Sequence, residues 1–242
     1  MMSLLDALAE APDAASLKHL AAVTELHPST AHRILAAMCN ARFVERQDAG
    51  NYRLGIRLLE LGNIVKSRIN LREVALPFMQ ALHEKIGEAI NLGARHDDDI
   101  VYLERTSSGR SLVRVVYLVG GRAPLHLTSL GKLFLAAESA QKVRDYARRT
   151  GLPGKTPHSL TTLLALEKEL DKVRRHGIAY DDEEAELGLK CVAAPIHDDE
   201  GNVVAALSVS APADRHDPEW GRQVKETAEE VSRALGYIKP RQ

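Results

Sequence analysis

The chain has 242 residues, 45% of them hydrophobic, which is enough for one large domain or two ordinary ones with an apolar core. Its formal net charge of -1 excludes a histone-like polycation, so any contact with nucleic acid must come from a local patch. Two cysteines far apart in sequence, no secretory leader pattern and no run of ~18 apolar residues predict a reduced, cytoplasmic protein that does not enter a membrane.

The first 40 residues predict three helices. Leucines recur at helical spacing in residues 1–10, and Ser16 offers an N-cap to a second helix that follows directly. A short turn at residues 24–26 leads to the third helix, at residues 27–39. Two helices joined this tightly are typical of a helix-turn-helix.

The third helix, HPSTAHRILAAMC, presents one polar and one apolar face. Pro28 suits the first helical position because it has no amide proton to leave unsatisfied. Helical spacing predicts a buried face formed by Ala31, Ile34, Leu35 and Met38. The side chains predicted to contact DNA, on the other side, are those of Ser29, Thr30, His32 and Arg33. The alternative is a solvated helix face.

Residues 43–46 and 52–54 predict two short strands joined by a loop that contains Gly50 and Asn51. Such a hairpin after a helix-turn-helix would be a wing. Arg46 and Arg53 lie one on each strand, where they could contact phosphates, although such a pair could also be merely solvated.

A connecting helix is predicted over residues 56–68, with a domain boundary near residue 70. The next helix, at residues 71–86, contains Pro77, so we expect a kink or a restart there. The remaining predicted elements are strands at 90–95, 100–104, 112–118, 178–180, 191–197 and 203–211, and helices at about 129–150, at 161–176 and from 217 to about 235. This order predicts an α+β domain with one mostly antiparallel sheet.

Four segments carry a resemblance to a known family: STAHRIL at 29–35, FVERQDAGNYRLG at 43–55, GRAPLHLTSLGKLFLA at 121–136, and the long segment at 177–212. They resemble the IclR family of bacterial transcriptional regulators. The resemblance implies a winged helix-turn-helix at 1–55, a linker helix at 56–70 and an effector-binding domain similar to GAF and PAS folds at 71–242. His27-Pro28 departs from the family pattern, where a basic residue is usual.

The resemblance also implies an effector pocket. Its residues would be Leu112, Val115, Ala123, Ser129, Leu130, Gly131, Asp181, Leu189, Cys191, Ser208 and Ser210. The helix that begins near Ser129 would offer free amides to a carboxylate, and Asp181 suits a hydroxyl or another donor. We therefore expect a small hydroxylated or keto organic acid, with aromatic catabolites as one candidate class. The alternative is that the serines only satisfy the backbone and that Cys191 is a packed hydrophobe.

The sequence thus predicts a regulator that binds a pseudo-palindromic DNA operator as a dimer or a dimer of dimers and responds to a small organic acid. We expect no cofactor, no metal site and no catalytic residue, because the acidic runs share no ligand spacing with histidines and enzyme motifs are missing. The alternative is a small-molecule sensor, or an enzyme that uses Cys191 with His126 or His197, in which the winged unit serves dimerisation.

Overall fold

The computed structural model describes residues 2–47, 50–66, 70–106 and 119–239. The chain divides into two compact units, residues 1–69 and residues 70–242. In the described part of the chain, no helix is long and apolar enough to cross a membrane.

The first unit is a winged helix-turn-helix. Its elements are α1 (Met2–Glu10), β1 (Ala15–Ser16), α2 (Leu17–Val23), α3 (Pro28–Asn40), β2 (Val44–Arg46), β3 (Asn51–Leu54) and α4 (Ile56–Lys66). Leu4, Leu20 and Leu35 are completely buried and join the three helices into one core. The predicted hairpin is present, and β1, which is too short to predict from sequence, adds a third strand beside β3.

Local chemistry explains why α3 begins where it does. Pro28 occupies the first turn, and the ring Nδ1 of His27 accepts the amide of Ser29 at 3.4 Å. Of the predicted apolar face, Ala31, Leu35 and Met38 are buried and Ile34 is partly buried. At the start of α2, the hydroxyl of Ser16 accepts the amide of His19, as an N-cap should.

The second unit is built on one sheet. Its elements are α5 (Leu71–Ile86), β4 (Ala89–His96), β5 (Asp99–Thr106), β6 (Arg122–Pro124), α6 (Ser129–Ala137), α7 (Ala140–Thr150), α8 (Leu163–His176), β7 (Ala179–Asp182), β8 (Leu189–His197), β9 (Val203–Pro212) and α9 (Trp220–Ala234). The strands pair antiparallel in the order β6-β5-β4-β9-β8-β7, which confirms the predicted α+β class.

Helices cover both faces of the sheet. Apolar side chains of α6, α7 and α8 pack on one face, and those of α5 and α9 pack on the other. Pro77 lies inside an unbroken α5, so the alternative of a helix restart is wrong. Residues 129–150 form two helices, because the chain is extended at Glu138 and Ser139 caps α7. The strand predicted at 112–118 lies outside the described residues.

Candidate functional site

The polar face of α3 lies opposite the apolar face that packs into the core. Ser29, His32 and Arg33 are exposed, and Thr30 is half-buried at the edge of the same surface. The hydroxyl of Ser29 lies 2.8 Å from Nδ1 of His27, so His27, where a cation is usual in the family, helps to close the first turn. The residues predicted to read DNA therefore lie together on one accessible surface.

The two wing arginines differ in their surroundings. Arg53 and Glu45 are cross-strand partners, and their side chains form an ion pair at 2.7 Å. Hydrogen bonding and the charge of Arg53 hold the pKa of Glu45 below its usual range. Arg46 pairs in register with Tyr52, so it lies on the opposite face of the ribbon, and it is exposed. Among the described residues Arg46 forms no ion pair, whereas Arg53 shares its charge with Glu45.

Strand register brings the residues predicted for the effector pocket together. Asp181 on β7 is opposite Cys191 on β8, and Cys191 is opposite Ser210 on β9. Ser208 lies two residues from Ser210 and so shares its face of the sheet. The other described members of the predicted set are also buried. Ala123 and Leu189 are apolar strand residues, and Ser129, Leu130 and Gly131 lie in the first turn of α6. Leu112 and Val115 lie outside the described residues.

Two polar residues that the sequence analysis did not select complete this face. Asn91 on β4 is 1% exposed, and its side-chain amide donates to Ser210 Oγ at 3.0 Å and to Ser208 Oγ at 3.4 Å. Tyr102 on β5 is also buried. Burial, followed by electrostatic contributions from Cys191 and Asp181, raises the pKa of Tyr102. The signal for Asn91 was an amide inside the otherwise apolar strand segment AINL.

The amino end of α6 offers two amides, which corrects the prediction for Gly131. Thr128 caps the helix, and its hydroxyl accepts the Gly131 amide at 3.0 Å. The amides of Ser129 and Leu130 make no hydrogen bond with the described residues. Gly131 has a different role, because a Cβ there would lie 2.3 Å from the Leu125 carbonyl oxygen. Glycine therefore lets the chain before α6 pack against the helix.

Buried charges lie beside Asp181, and two of them were missed. Lys132 is fully buried, and its Nζ lies 2.6 Å from Glu184 Oε1. The Asp181 carboxylate accepts the amides of Glu184 at 2.8 Å and Ala185 at 3.3 Å. Burial nevertheless raises the pKa of Asp181 to about 7, against the lowering effect of Lys132. Asp181 can therefore gain or lose a proton near neutral pH.

The surroundings of Cys191 do not suit a nucleophile. Burial raises the pKa of its thiol, which lies 3.1 Å from Ser210 Oγ. The ring nitrogens of His126 lie 2.8 Å from Tyr146 Oη and 3.1 Å from the Pro153 carbonyl, and the ring of His197 stacks on Tyr237. Neither histidine is placed to act as its base. Over the described ranges, no group of three or more histidine, cysteine or acidic residues could hold a metal ion.

Comparison with known proteins identifies the family. Residues 1–48 match the family model described as IclR helix-turn-helix domain, and residues 64–235 match the one described as bacterial transcriptional regulator IclR C-terminal. The chain belongs to the IclR family of bacterial transcriptional regulators. It is therefore a transcriptional regulator with a helix-turn-helix DNA-binding domain, and the enzyme alternative is set aside.

Relatives of known sequence are similar over nearly their whole length. An uncharacterised HTH-type transcriptional regulator of Haemophilus influenzae is 34% identical, with 98% of this chain and 91% of the relative covered. The DNA-binding transcriptional repressor YiaJ of Escherichia coli is 30% identical, with 98% and 86% covered. Both relatives are named as transcriptional regulators or repressors.

Two solved structures are informative. The repressor BlcR of Agrobacterium tumefaciens has a TM-score of 0.87 at 25% identity, over 98% of this chain and 96% of that chain. An IclR homologue of Microbacterium hydrocarbonoxydans complexed with 4-hydroxybenzoate has a TM-score of 0.64 at 28% identity, over 97% and 96%.

Proposed function

We propose that this IclR-family regulator binds a pseudo-palindromic operator through α3 and the wing, and that a small organic acid bound to residues 71–242 modulates this binding. Residues 1–55 would be the DNA-binding domain and residues 56–70 the linker helix. The observation that carries the proposal is the polar face of α3, which lies opposite an apolar face packed into the core of the matched helix-turn-helix.

Each side chain of this face has a chemical role in the proposal. Arg33 is long enough for a bidentate pair with guanine, a contact worth roughly 1–3 kcal/mol of discrimination. The hydroxyls of Ser29 and Thr30 and the ring of His32 suit phosphates or base edges. Arg46 and Arg53 on the wing would add phosphate contacts. The positive and negative charges of one DNA-binding domain nearly balance. This favours two such domains, one from each copy of the chain, acting together on one operator.

Dimerisation has support from α4. Ile56 and Leu59 on this helix are 50% and 59% exposed in the single chain. Apolar side chains on a helix tend to pack against another surface, and a second copy would supply one related by two-fold symmetry. A dimer or a dimer of dimers would place paired α3 helices on the two halves of the operator.

The effector is inferred from the donors and acceptors on the α6 side of the sheet. The amides of Ser129 and Leu130 and the positive end of the α6 dipole suit a carboxylate. Asp181 suits a hydroxyl, and Leu189 and Ala123 supply apolar wall. The 4-hydroxybenzoate complex of a relative supports a hydroxylated aromatic acid as one candidate.

The DNA-binding part is tested with Arg33→Ala, using an operator selected from random duplexes by the wild-type protein. We expect operator affinity to fall about fivefold to 150-fold, which corresponds to the loss of one bidentate contact. Unfolding free energy should change by no more than about 0.5 kcal/mol, because the side chain is exposed. Arg148→Ala, which removes the same charge from exposed α7, is the control. Equal affinity of Arg33→Ala and wild type at fixed salt would refute this reading of α3.

The effector part is tested by calorimetry with 4-hydroxybenzoate and lactate as probes. Asp181→Ala and Ser208→Ala should each weaken the binding of whichever acid the wild type takes up, because each variant removes a polar group from the proposed pocket. Undiminished binding in both variants would remove these residues from the site.

A further inference from the structure

The side chain of Asn91 is hydrogen-bonded at only one end. Its two amide protons are used by Ser208 and Ser210, while its carbonyl oxygen Oδ1 has no hydrogen-bond partner among the described residues. Asn91 is 1% exposed, so water does not reach this oxygen from the surface. An unsatisfied buried acceptor costs about 1–3 kcal/mol. A purely structural residue at this position could be apolar at no such cost.

Strand geometry shows on which face of the sheet the Asn91 side chain lies. Asn91 and Gly93 on β4 share one face of the sheet, because side chains alternate along a strand. A Cβ on Gly93 would lie 3.0 Å from a methyl group of Leu130, in the first turn of α6. Asn91 therefore lies on the α6 side of the sheet, the same side as the amides of Ser129 and Leu130, which have no partner among the described residues.

We propose that Asn91 is a further effector-binding residue, whose side-chain carbonyl accepts a hydrogen bond from a hydroxyl of the effector. This assignment rests on the effector-binding function proposed above. The two serines hold the amide group so that its NH2 faces them and its oxygen is presented to the ligand. Ser210 is held in turn by Cys191, at 3.1 Å.

This arrangement narrows the class of effector. The amides at the start of α6 donate, and so they suit a carboxylate. Asn91 Oδ1 and Asp181 accept, and so they suit an O–H group. A keto oxygen has no proton to donate to Asn91 Oδ1, and an acid without a hydroxyl leaves this oxygen unsatisfied. The site therefore favours a hydroxy acid over a keto acid or a plain carboxylic acid of the same size.

The experiment compares size-matched acids by calorimetry: lactate, pyruvate and propionate in one series, and 4-hydroxybenzoate and benzoate in the other. In one of the two series, the wild type should bind the hydroxy acid at least about tenfold more tightly than the acid without the hydroxyl. Asn91→Leu removes the acceptor at similar volume, and the preference should shrink to about threefold or less. Asn202→Ala, which removes an exposed amide from a turn, should leave it unchanged.

A second variant covers the case in which Asn91→Leu does not fold, as judged by circular dichroism. Asn91→Asp keeps acceptor oxygens at the same position, so the hydroxyl preference should persist while all acids bind more weakly. Loss of the preference in folded Asn91→Asp would overturn the assignment, because the acceptor oxygens are still in place there.

Other outcomes distinguish the role of Asn91 from the existence of the effector site itself. Binding of the acids with the same preference in wild type and Asn91→Leu overturns the role of Asn91 and leaves the effector site standing. A wild-type preference for pyruvate over lactate means that the amide presents its NH2, and it also overturns the role. If no acid of either series binds the wild type, the organic-acid effector itself is refuted, and the role of Asn91 with it.

Discussion

The two units place polar side chains in opposite environments. On α3, Ser29 and Arg33 project from an exposed helix face. In the second unit, Asn91, Asp181 and Ser210 are each no more than 2% exposed and are tied to their neighbours by hydrogen bonds. The polar face of α3 is open to solvent, whereas the polar side chains of the second unit are closed off from it.

This difference predicts how substitutions will behave. A change on the exposed face of α3 would remove a proposed DNA contact and leave the core intact, so binding and stability should vary separately. A change at Asn91, Asp181 or Ser210 would remove a proposed ligand contact and also leave a neighbouring polar group unsatisfied, so binding and stability should change together. Measurements of both quantities on the same variants therefore test the comparison.

The largest effect is expected for Lys132→Met. This change leaves Glu184 buried without the ammonium at 2.6 Å, which typically costs about 3–5 kcal/mol. Urea unfolding followed by Trp220 fluorescence measures the loss, because Trp220 is the single tryptophan and is buried in α9. The double variant Lys132→Met/Glu184→Gln should recover part of the lost stability, since it removes the unpaired charge.

The matched control for Lys132 is Lys142→Met. Lys142 also pairs with a glutamate, at 2.8 Å, but its side chain is 69% exposed. An exposed pair contributes about 0–1 kcal/mol, so the loss should stay within that range. Similar losses for Lys132→Met and Lys142→Met would contradict the contrast between buried and exposed charge.

The next effect is the pH dependence that Asp181 gives to the second unit. Burial raises the pKa of this carboxyl from its ordinary 3.8 to about 7 in the folded protein. Between these two pH values the folded state holds a proton that the unfolded state has lost. The stability that this proton contributes is complete below about pH 4 and is lost as the pH rises toward 7.

Asp181→Asn isolates this effect, because the amide oxygen can still accept the amides of Glu184 and Ala185. The unfolding free energy of the wild type relative to Asp181→Asn should fall by roughly 3 kcal/mol between pH 5 and pH 8. The same urea titrations, repeated at each pH, give the difference. A difference that stays constant with pH would show that Asp181 ionises normally in the folded protein.

The sequence allowed most of the fold to be predicted, because its elements are marked by local chemistry. The cap at Ser16, Pro28 at the start of α3 and the apolar periodicity of the helices depend only on neighbouring residues. The two-residue strand β1 could not be predicted, because it exists only through its pairing with Tyr52 and Asn51. The interruption at Glu138 between α6 and α7 was also missed.

The proposed effector site could be predicted from the sequence only in part. Residue types implied by the family resemblance, such as Asp181 and Ser208, do lie on one face of the sheet. Lys132 and Glu184 are 52 positions apart, and their pairing depends on how α6 packs, which local patterns do not encode. Gly131 illustrates the same limit: it was interpreted as an amide donor, whereas its amide is taken by Thr128 and its lack of a side chain admits Leu125.

The smallest effect concerns the wing, where Glu45→Gln should strengthen operator binding a few-fold. The substitution removes a negative charge and releases Arg53 from its ion pair, so one more cation can reach a phosphate. Arg46→Ala should act in the opposite direction, weakening binding a few-fold and reducing the dependence of log affinity on log salt concentration by about one. Titrations at several salt concentrations measure both.

Glu229→Gln removes the same charge from α9 and is the control for Glu45→Gln. If Glu45→Gln and Glu229→Gln bind DNA equally well, the ion pair between Arg53 and Glu45 does not limit the affinity of the wing for DNA.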